Sequence, residues 1–230
     1  MRAHTMIERH FYDSMHELSA AFADFAASIL RKALIQNNKV SLVVPGGQTP
    51  HDYLPILARE ALPWERVYIT LSDERWVETQ ADISNERLVR NYLLKDKAEK
   101  AHFIGLKTSH SCPSEALATV HERLCQLPRP FNLTVLGLGE DGHIASLFPG
   151  MRLEQDTFYL CQAAEPPFAP SQRISLVLPV LASSYHIALV VTGIAKRQLL
   201  DRLINNPDPL IPFGQLVQQC QSPITIFETN

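Results

Sequence analysis

The sequence predicts an α/β fold, a Rossmann-like and mostly parallel sheet with helices on both faces. Three observations carry this. Short apolar runs rich in branched residues recur along the chain, as at Val40–Val44, Leu133–Leu136 and His186–Val191. Stretches whose apolar residues keep helical spacing alternate with them. Several runs end in glycine or proline turns that carry polar residues. Strand and helix alternating through the whole length imply strands that run the same way, joined by helical crossovers.

The elements follow in order. Met15, Leu18, Phe22, Phe25 and Ile29 recur at steps of three and four, one apolar stripe on a helix from about Ser14 to Leu34, ended by Asn37-Asn38. Val40–Val44 is a strand that runs into Pro45-Gly46-Gly47-Gln48-Thr49-Pro50. Thr49 fits an N-cap and Pro50 the first helical position. Pro55 makes that helix short or bent. Arg66–Leu71 is a strand ending in Ser72-Asp73-Glu74-Arg75-Trp76-Val77. Asp82–Glu86 leads into a helical pattern with Leu88, Tyr92 and Leu93, and Ser84 or Asn85 caps it. His102–Gly105 reads as a short strand and Pro113–Leu127 as a helix. After Leu133–Leu136 come the glycines 137, 139 and 142, then an expected strand Thr157–Gln162 and a proline-rich loop Ala163–Pro170. Gln172–Leu178 alternates as a strand, and Thr192-Gly193 ends the strand His186–Val191. Ala195–Ile204 is a helix, Asn205–Pro212 a loop and Pro223–Phe227 the final strand. No internal repeat or linker divides residues 1–230, which are expected to form one domain.

Composition narrows the function classes. The chain has 230 residues and a formal net charge of −3, so its bulk charge carries no nucleic-acid or membrane footprint. Any anionic ligand must meet a local cluster of cations. The four cysteines, Cys112, Cys125, Cys161 and Cys220, form no C-x-x-C pair, which argues against a disulfide framework or a zinc ribbon. Met1–Tyr12 has no apolar signal-peptide core, and no segment has the length of a membrane span. A cytoplasmic protein is expected.

Three strand ends gather polar groups, and parallel strands bring such ends to one edge of a sheet. The first is Gly46-Gly47-Gln48-Thr49, where free backbone N–H groups and a helix N-terminus suit a phosphate; no Gly-Lys-Ser/Thr follows, so it is not a Walker A loop. The second is Asp73–Arg75, where a buried Arg75 needs a partner, Asp73 or Glu74. The third is Gly137-x-Gly139-x-x-Gly142 with Glu140, Asp141 and His143. It matches a dinucleotide fingerprint, but Phe148-Pro149-Gly150 stops the helix that the fingerprint needs, and Asp156 lies on the wrong side of the next expected strand. His143 is the candidate general base, because imidazole titrates near working pH. Asp141 or Asp73 can orient it. Arg75 offers fixed charge for an oxyanion or carboxylate, and Arg173 and Lys196 are added cations for a phosphate. The spacing shows neither H-E-x-x-H nor a histidine pair, so no metal is expected. Ser146 does not sit in a G-x-S-x-G elbow.

Leu136-Gly-Leu-Gly-Glu-Asp-Gly-His-Ile-Ala-Ser-Leu-Phe-Pro149 resembles the signature of the 6-phosphogluconolactonases. The resemblance extends to Gly46–Pro50, to Asp73-Glu-Arg-Trp-Val77 followed by Ser84-Asn85, to Arg173-Ile-Ser-Leu-Val-Leu-Pro179 and to Thr192-Gly-Ile-Ala-Lys196. Order and spacing fit from about Val40 to Leu200. Glucosamine-6-phosphate deaminases share the Asp-Gly-His element but continue with Phe-Asn-Glu-Pro. Here Ser146-Leu-Phe-Pro149 lacks that acid, which favours the lactonase. Pro45 and Gln48 stand where the family commonly has serine. The resemblance implies a fold like that of glucosamine-6-phosphate deaminase and hydrolysis of a small phosphosugar lactone, 6-phospho-D-glucono-1,5-lactone. His143 would activate water, with Asp73, Arg75 and Asp141 as further catalytic residues. Gly46, Gly47, Gln48, Thr49, Arg173 and Lys196 would bind substrate. It implies no metal or organic cofactor. A monomer or weak homodimer is expected, with no nucleic-acid or membrane partner. The rival readings are an amino-sugar-phosphate deaminase or isomerase, and a non-enzymatic sugar-phosphate-binding protein.

Overall fold

The computed structural model describes residues 6–155, 158–166 and 169–230. Seven strands form a sheet in the order β1-β10-β9-β6-β2-β3-β5. They are β1 (Ile7–Phe11), β2 (Val40–Val44), β3 (Val67–Leu71), β5 (His102–Ile104), β6 (Leu133–Gly137), β9 (Ile187–Thr192) and β10 (Ile224–Thr229). Every neighbouring pair is parallel. All five residues of β2 and all six of β10 are buried, so both faces of the sheet are covered, as a parallel sheet requires. That is why these strands read as continuous apolar runs.

A second sheet is small and antiparallel. It joins β4 (Asp73–Arg75), β8 (Arg173–Leu176) and β7 (Cys161–Ala164) in the order β4-β8-β7. The expected Asp73–Arg75 turn is therefore a strand. Its three residues are too polar to signal one. The expected strand at Thr157–Gln162 lies later, at Cys161–Ala164, and the positions Asp156 and Thr157 fall outside the described residues. The strand expected up to Leu178 stops at Leu176, because Pro179 opens α5 (Leu178–Ala182).

The long helix α1 (Met15–Gln36) starts at Ser14, whose hydroxyl accepts from the Glu17 N–H, and packs against β2, β6 and β10. Its buried face includes Ala23, Ala26 and Ala27 beside Leu18 and Phe22, while Met15, Phe25 and Ile29 flank it. The small alanines let helix and sheet approach. The helix α2 (Pro50–Leu57) follows β2 and contains Pro55. Thr49 occupies its N-cap position, but its side chain caps nothing. Ser84 does cap α3 (Asn85–Tyr92). The helices α4 (Pro113–Leu124), α6 (Ile194–Asn205) and α7 (Pro212–Gln219) complete the set, α4 against β7 and α6 against β9. Sequence patterning misses β1 and α7. The first is an edge strand with a largely polar sequence, and the second is eight residues long.

The topology positions the site. From β2 the chain moves to β3 and β5 on one side, and from β6 to β9 and β10 on the other. The connections thus reverse between β6 and β2. In open α/β sheets a crevice at such a switch point, outside the carboxyl ends of the strands, is where ligands bind.

Candidate active site

A cleft of about 210 Å³ opens at that edge. The loop after β2 lines it from Pro45 to Thr49, the loop after β6 adds Gly137 to Gly139 and His143, and Lys196 comes from the first turn of α6. The small sheet adds Asp73, Arg75 and Arg173. The three strand ends singled out from sequence therefore meet, joined by the two cations expected from further along the chain.

The loop after β6 is built around one close approach. No helix follows Gly137. The chain instead folds into a tight turn in which Gly139 N–H donates to His143 C=O at 2.9 Å and Gly142 N–H to Gly139 C=O at 3.0 Å. A Cβ on Gly139 would lie 2.1 Å from His143 Nδ1, so the imidazole can occupy this position only over a glycine. His143 Nδ1 lies 2.6 Å from Asp141 Oδ1, and the same oxygen accepts the His143 backbone N–H at 3.0 Å. A carboxylate only accepts, so Nδ1 carries the proton, and in the neutral ring Nε2 then holds the lone pair. The Phe148 ring packs on the imidazole with centroids 4.5 Å apart and also carries the Arg173 guanidinium, 5.6 Å away. One buried ring thus sets the His143 imidazole and a cation side by side.

Asp73 is placed otherwise than as a partner of His143 or Arg75. It is buried and accepts from Ser146 Oγ at 2.6 Å and from Ser72 Oγ at 2.9 Å. Arg173 Nη1 reaches Ser146 Oγ at 3.5 Å. Ser146, read as unsuited to nucleophilic attack, thus ties the His143 loop to the small sheet. Arg75 pairs with neither Asp73 nor Glu74. Its Nη1 donates to Ile83 C=O at 2.6 Å and to Asn85 Oδ1 at 2.8 Å. Glu74 is fully buried and accepts the N–H groups of Arg75, Asn85 and Glu86 and the Ser84 hydroxyl. Burial pushes its carboxyl above the usual range, and these four donors oppose that shift.

The cations carry the electrostatic signal. Arg75 and Arg173 stand directly opposite each other across β4 and β8, and like charges in that position repel. Arg173 is only 6% exposed. Burial, and then the Arg75 charge, lower its pKa, while Asp73 works the other way. Arg75 Nε is buried without an acceptor among the described residues. Lys196 likewise has no ion-pair partner among them. The N–H groups of Gly46 to Thr49 donate to no backbone carbonyl in a turn or loop among the described residues. Such a cleft is prepared for an anion. Among the described residues no group of three or more His, Cys, Asp or Glu side chains is placed to hold a metal ion.

Residues 13–225 match the family described as glucosamine-6-phosphate isomerases/6-phosphogluconolactonase. The chain belongs to this family. A 6-phosphogluconolactonase of Pseudomonas aeruginosa is 39% identical over 196 residues, which cover 83% of this chain and 82% of that protein. The crystal structure of a 6-phosphogluconolactonase from Shewanella baltica matches with a TM-score of 0.92 at 37% identity, over 98% of both chains. A monomeric glucosamine-6-phosphate deaminase shares the fold, with a TM-score of 0.80 at 15% identity over 97% of both chains. The fold is thus shared by proteins of both names. The more similar relatives, at 37–39% identity, carry the lactonase name.

Sequence reasoning read Asn85 as a possible cap and as part of a family motif, and gave neither it nor Ser72 a role in the site. Both contact β4, Asn85 through Arg75 and the Asp73 carbonyl and Ser72 through the Asp73 carboxylate.

Proposed function

We propose that the protein hydrolyses 6-phospho-D-glucono-1,5-lactone to 6-phospho-D-gluconate, the second step of the oxidative pentose phosphate pathway. The observation that carries the reading is the Asp141–His143 pair in an anion-seeking cleft, in a chain whose more similar relatives are 6-phosphogluconolactonases. Nε2 of His143 takes a proton from water as the water oxygen attacks the lactone carbonyl. Asp141 holds the imidazole in the required tautomer. The negative charge that develops on the carbonyl oxygen is stabilised by Arg75. When the ring C–O bond breaks, the proton passes from His143 to the departing ring oxygen, and the product carboxyl ionises. The N–H groups of Gly46, Gly47, Gln48 and Thr49, with Arg173 and Lys196, hold the phosphate away from the reacting carbon, so that binding energy orients the ester. Pro45 and Gln48 remove two hydroxyls, and the backbone donors serve in their place. Asp73 fixes Ser146 and the His143 loop.

The unit is proposed to span the chain as one domain and to work in the cytoplasm as a monomer or weak homodimer. Among the described residues no helix is long and apolar enough to cross a membrane. The test is turnover of freshly made lactone, corrected for spontaneous hydrolysis. Hydrolysis well above that background is expected. Ammonia release from glucosamine 6-phosphate without lactone turnover would replace this reading with the deaminase.

A further inference from the structure

We infer that Asn85 is a positioning residue for the reaction: its side-chain amide sets the direction of the Arg75 guanidinium and gauges it against the glycine loop. The inference rests on the proposed role of Arg75 at the lactone carbonyl. Asn85 is 1% exposed and is the first residue of α3, yet it also lines the cleft. Its Oδ1 accepts from Arg75 Nη1 at 2.8 Å, and its Nδ2 donates to the Asp73 carbonyl at 2.8 Å. Only this orientation of the amide satisfies both partners, since a guanidinium can only donate and a carbonyl only accept. Arg75 and Asp73 are alternate residues of one short strand, so the amide spans the strand and grips it at both ends.

The amide is itself held fixed. The Asn85 N–H donates to Glu74 Oε1 at 2.8 Å and the Glu86 N–H to Glu74 Oε2 at 2.7 Å. A buried carboxylate at the N-terminus of α3 therefore ties that helix to β4, complementing the positive end of the helix dipole. On the other side the glycine loop presses on the amide. A Cβ on Gly46 would stand 1.8 Å from Asn85 Oδ1. Asn85 thus touches the proposed phosphate loop and the proposed oxyanion cation at once, and fixes the spacing between them. An arginine has many rotamers, and holding one of them is what such a contact supplies.

The test is a double-mutant cycle read in kcat at saturating lactone, with a thermal melt of each protein. Asn85→Ala should lower kcat about tenfold to a hundredfold, in line with a lost hydrogen bond to a charged group. In the Arg75→Ala background the same change should cost less than about twofold, because the residue it acts through is gone. A loss that is equal in both backgrounds means that Asn85 acts on its own, and overturns the inference while leaving Arg75 in its role. Full turnover in Arg75→Ala alone overturns the role of Arg75, and the inference with it. Asn85→Asp has the same shape and keeps the acceptor for Nη1. It loses the donor to the Asp73 carbonyl, so it should recover only part of the Asn85→Ala loss; no recovery in an Asn85→Asp protein that melts like the wild type would contradict the inference.

Discussion

The two sheets contribute different things to one cleft. The seven-stranded parallel sheet supplies backbone: turns after β2 and β6, unpaired N–H groups, a helix start, and a histidine seated over a glycine. The three-stranded antiparallel sheet supplies fixed charge: Asp73, Arg75 and Arg173, buried or half-buried and pinned by neighbours. The difference follows from geometry. A parallel strand ends in a loop that can bend toward a ligand, whereas a short antiparallel pair holds side chains in register on a stiff support. Ser146 and Phe148 lie on the seam between them.

The largest effect should come from the parallel-sheet side. His143→Ala removes the proposed base and should lower kcat by ~10²–10⁴-fold, the usual worth of general-base catalysis. A steady-state assay on fresh lactone reads this directly. Gly139→Ala should come next. The added methyl would sit against His143 Nδ1 and must push the ring off Asp141. We expect a fall in kcat of roughly a hundredfold, since misplacement by about 1 Å can cost that much. Near-normal kcat in this variant would mean that the tight turn does not set the position of the base.

A smaller effect separates the cleft edge of the parallel sheet from its opposite edge. His186 precedes β9 at the far end of the strands and is half-buried. Burial, and then the nearby Lys32 charge, lower its pKa. A histidine whose folded pKa is depressed adds stability above its unfolded value of about 6.5, and that stability is lost as the pH falls through the folded pKa. Chemical denaturation should therefore show stability falling in mild acid. His186→Gln should flatten that slope and leave kcat at neutral pH unchanged.

How much of this was legible in the sequence follows the same division. The central parallel strands announce themselves because both of their faces are buried; Val40–Val44 matches residue for residue. The glycine turns and His143 are local, so spacing alone finds them. The small sheet is not local. Asp73–Arg75 and Arg173–Leu176 are about a hundred residues apart, and three polar residues carry no strand pattern. The partners of Arg75 were misread for that reason. Adjacent acids looked like its counter-ions, yet Glu74 turns inward to the start of α3, and an amide ten residues on takes the guanidinium. The edge strand β1 was missed for want of a periodic apolar face, and α7 because it is only eight residues long and opens on a proline.

The most direct test compares one residue from each sheet. The kcat and KM of His143→Ala and Arg173→Ala should be measured side by side on freshly made 6-phosphogluconolactone, with spontaneous hydrolysis subtracted. His143→Ala should lose kcat with KM little changed. Arg173→Ala should raise KM about tenfold to a hundredfold, the worth of a charged hydrogen bond to the phosphate, and retain most of kcat. Wild-type kcat in His143→Ala, or an unchanged KM in Arg173→Ala, would contradict the proposal that the parallel sheet carries the base and that the small sheet adds Arg173 to the phosphate grip.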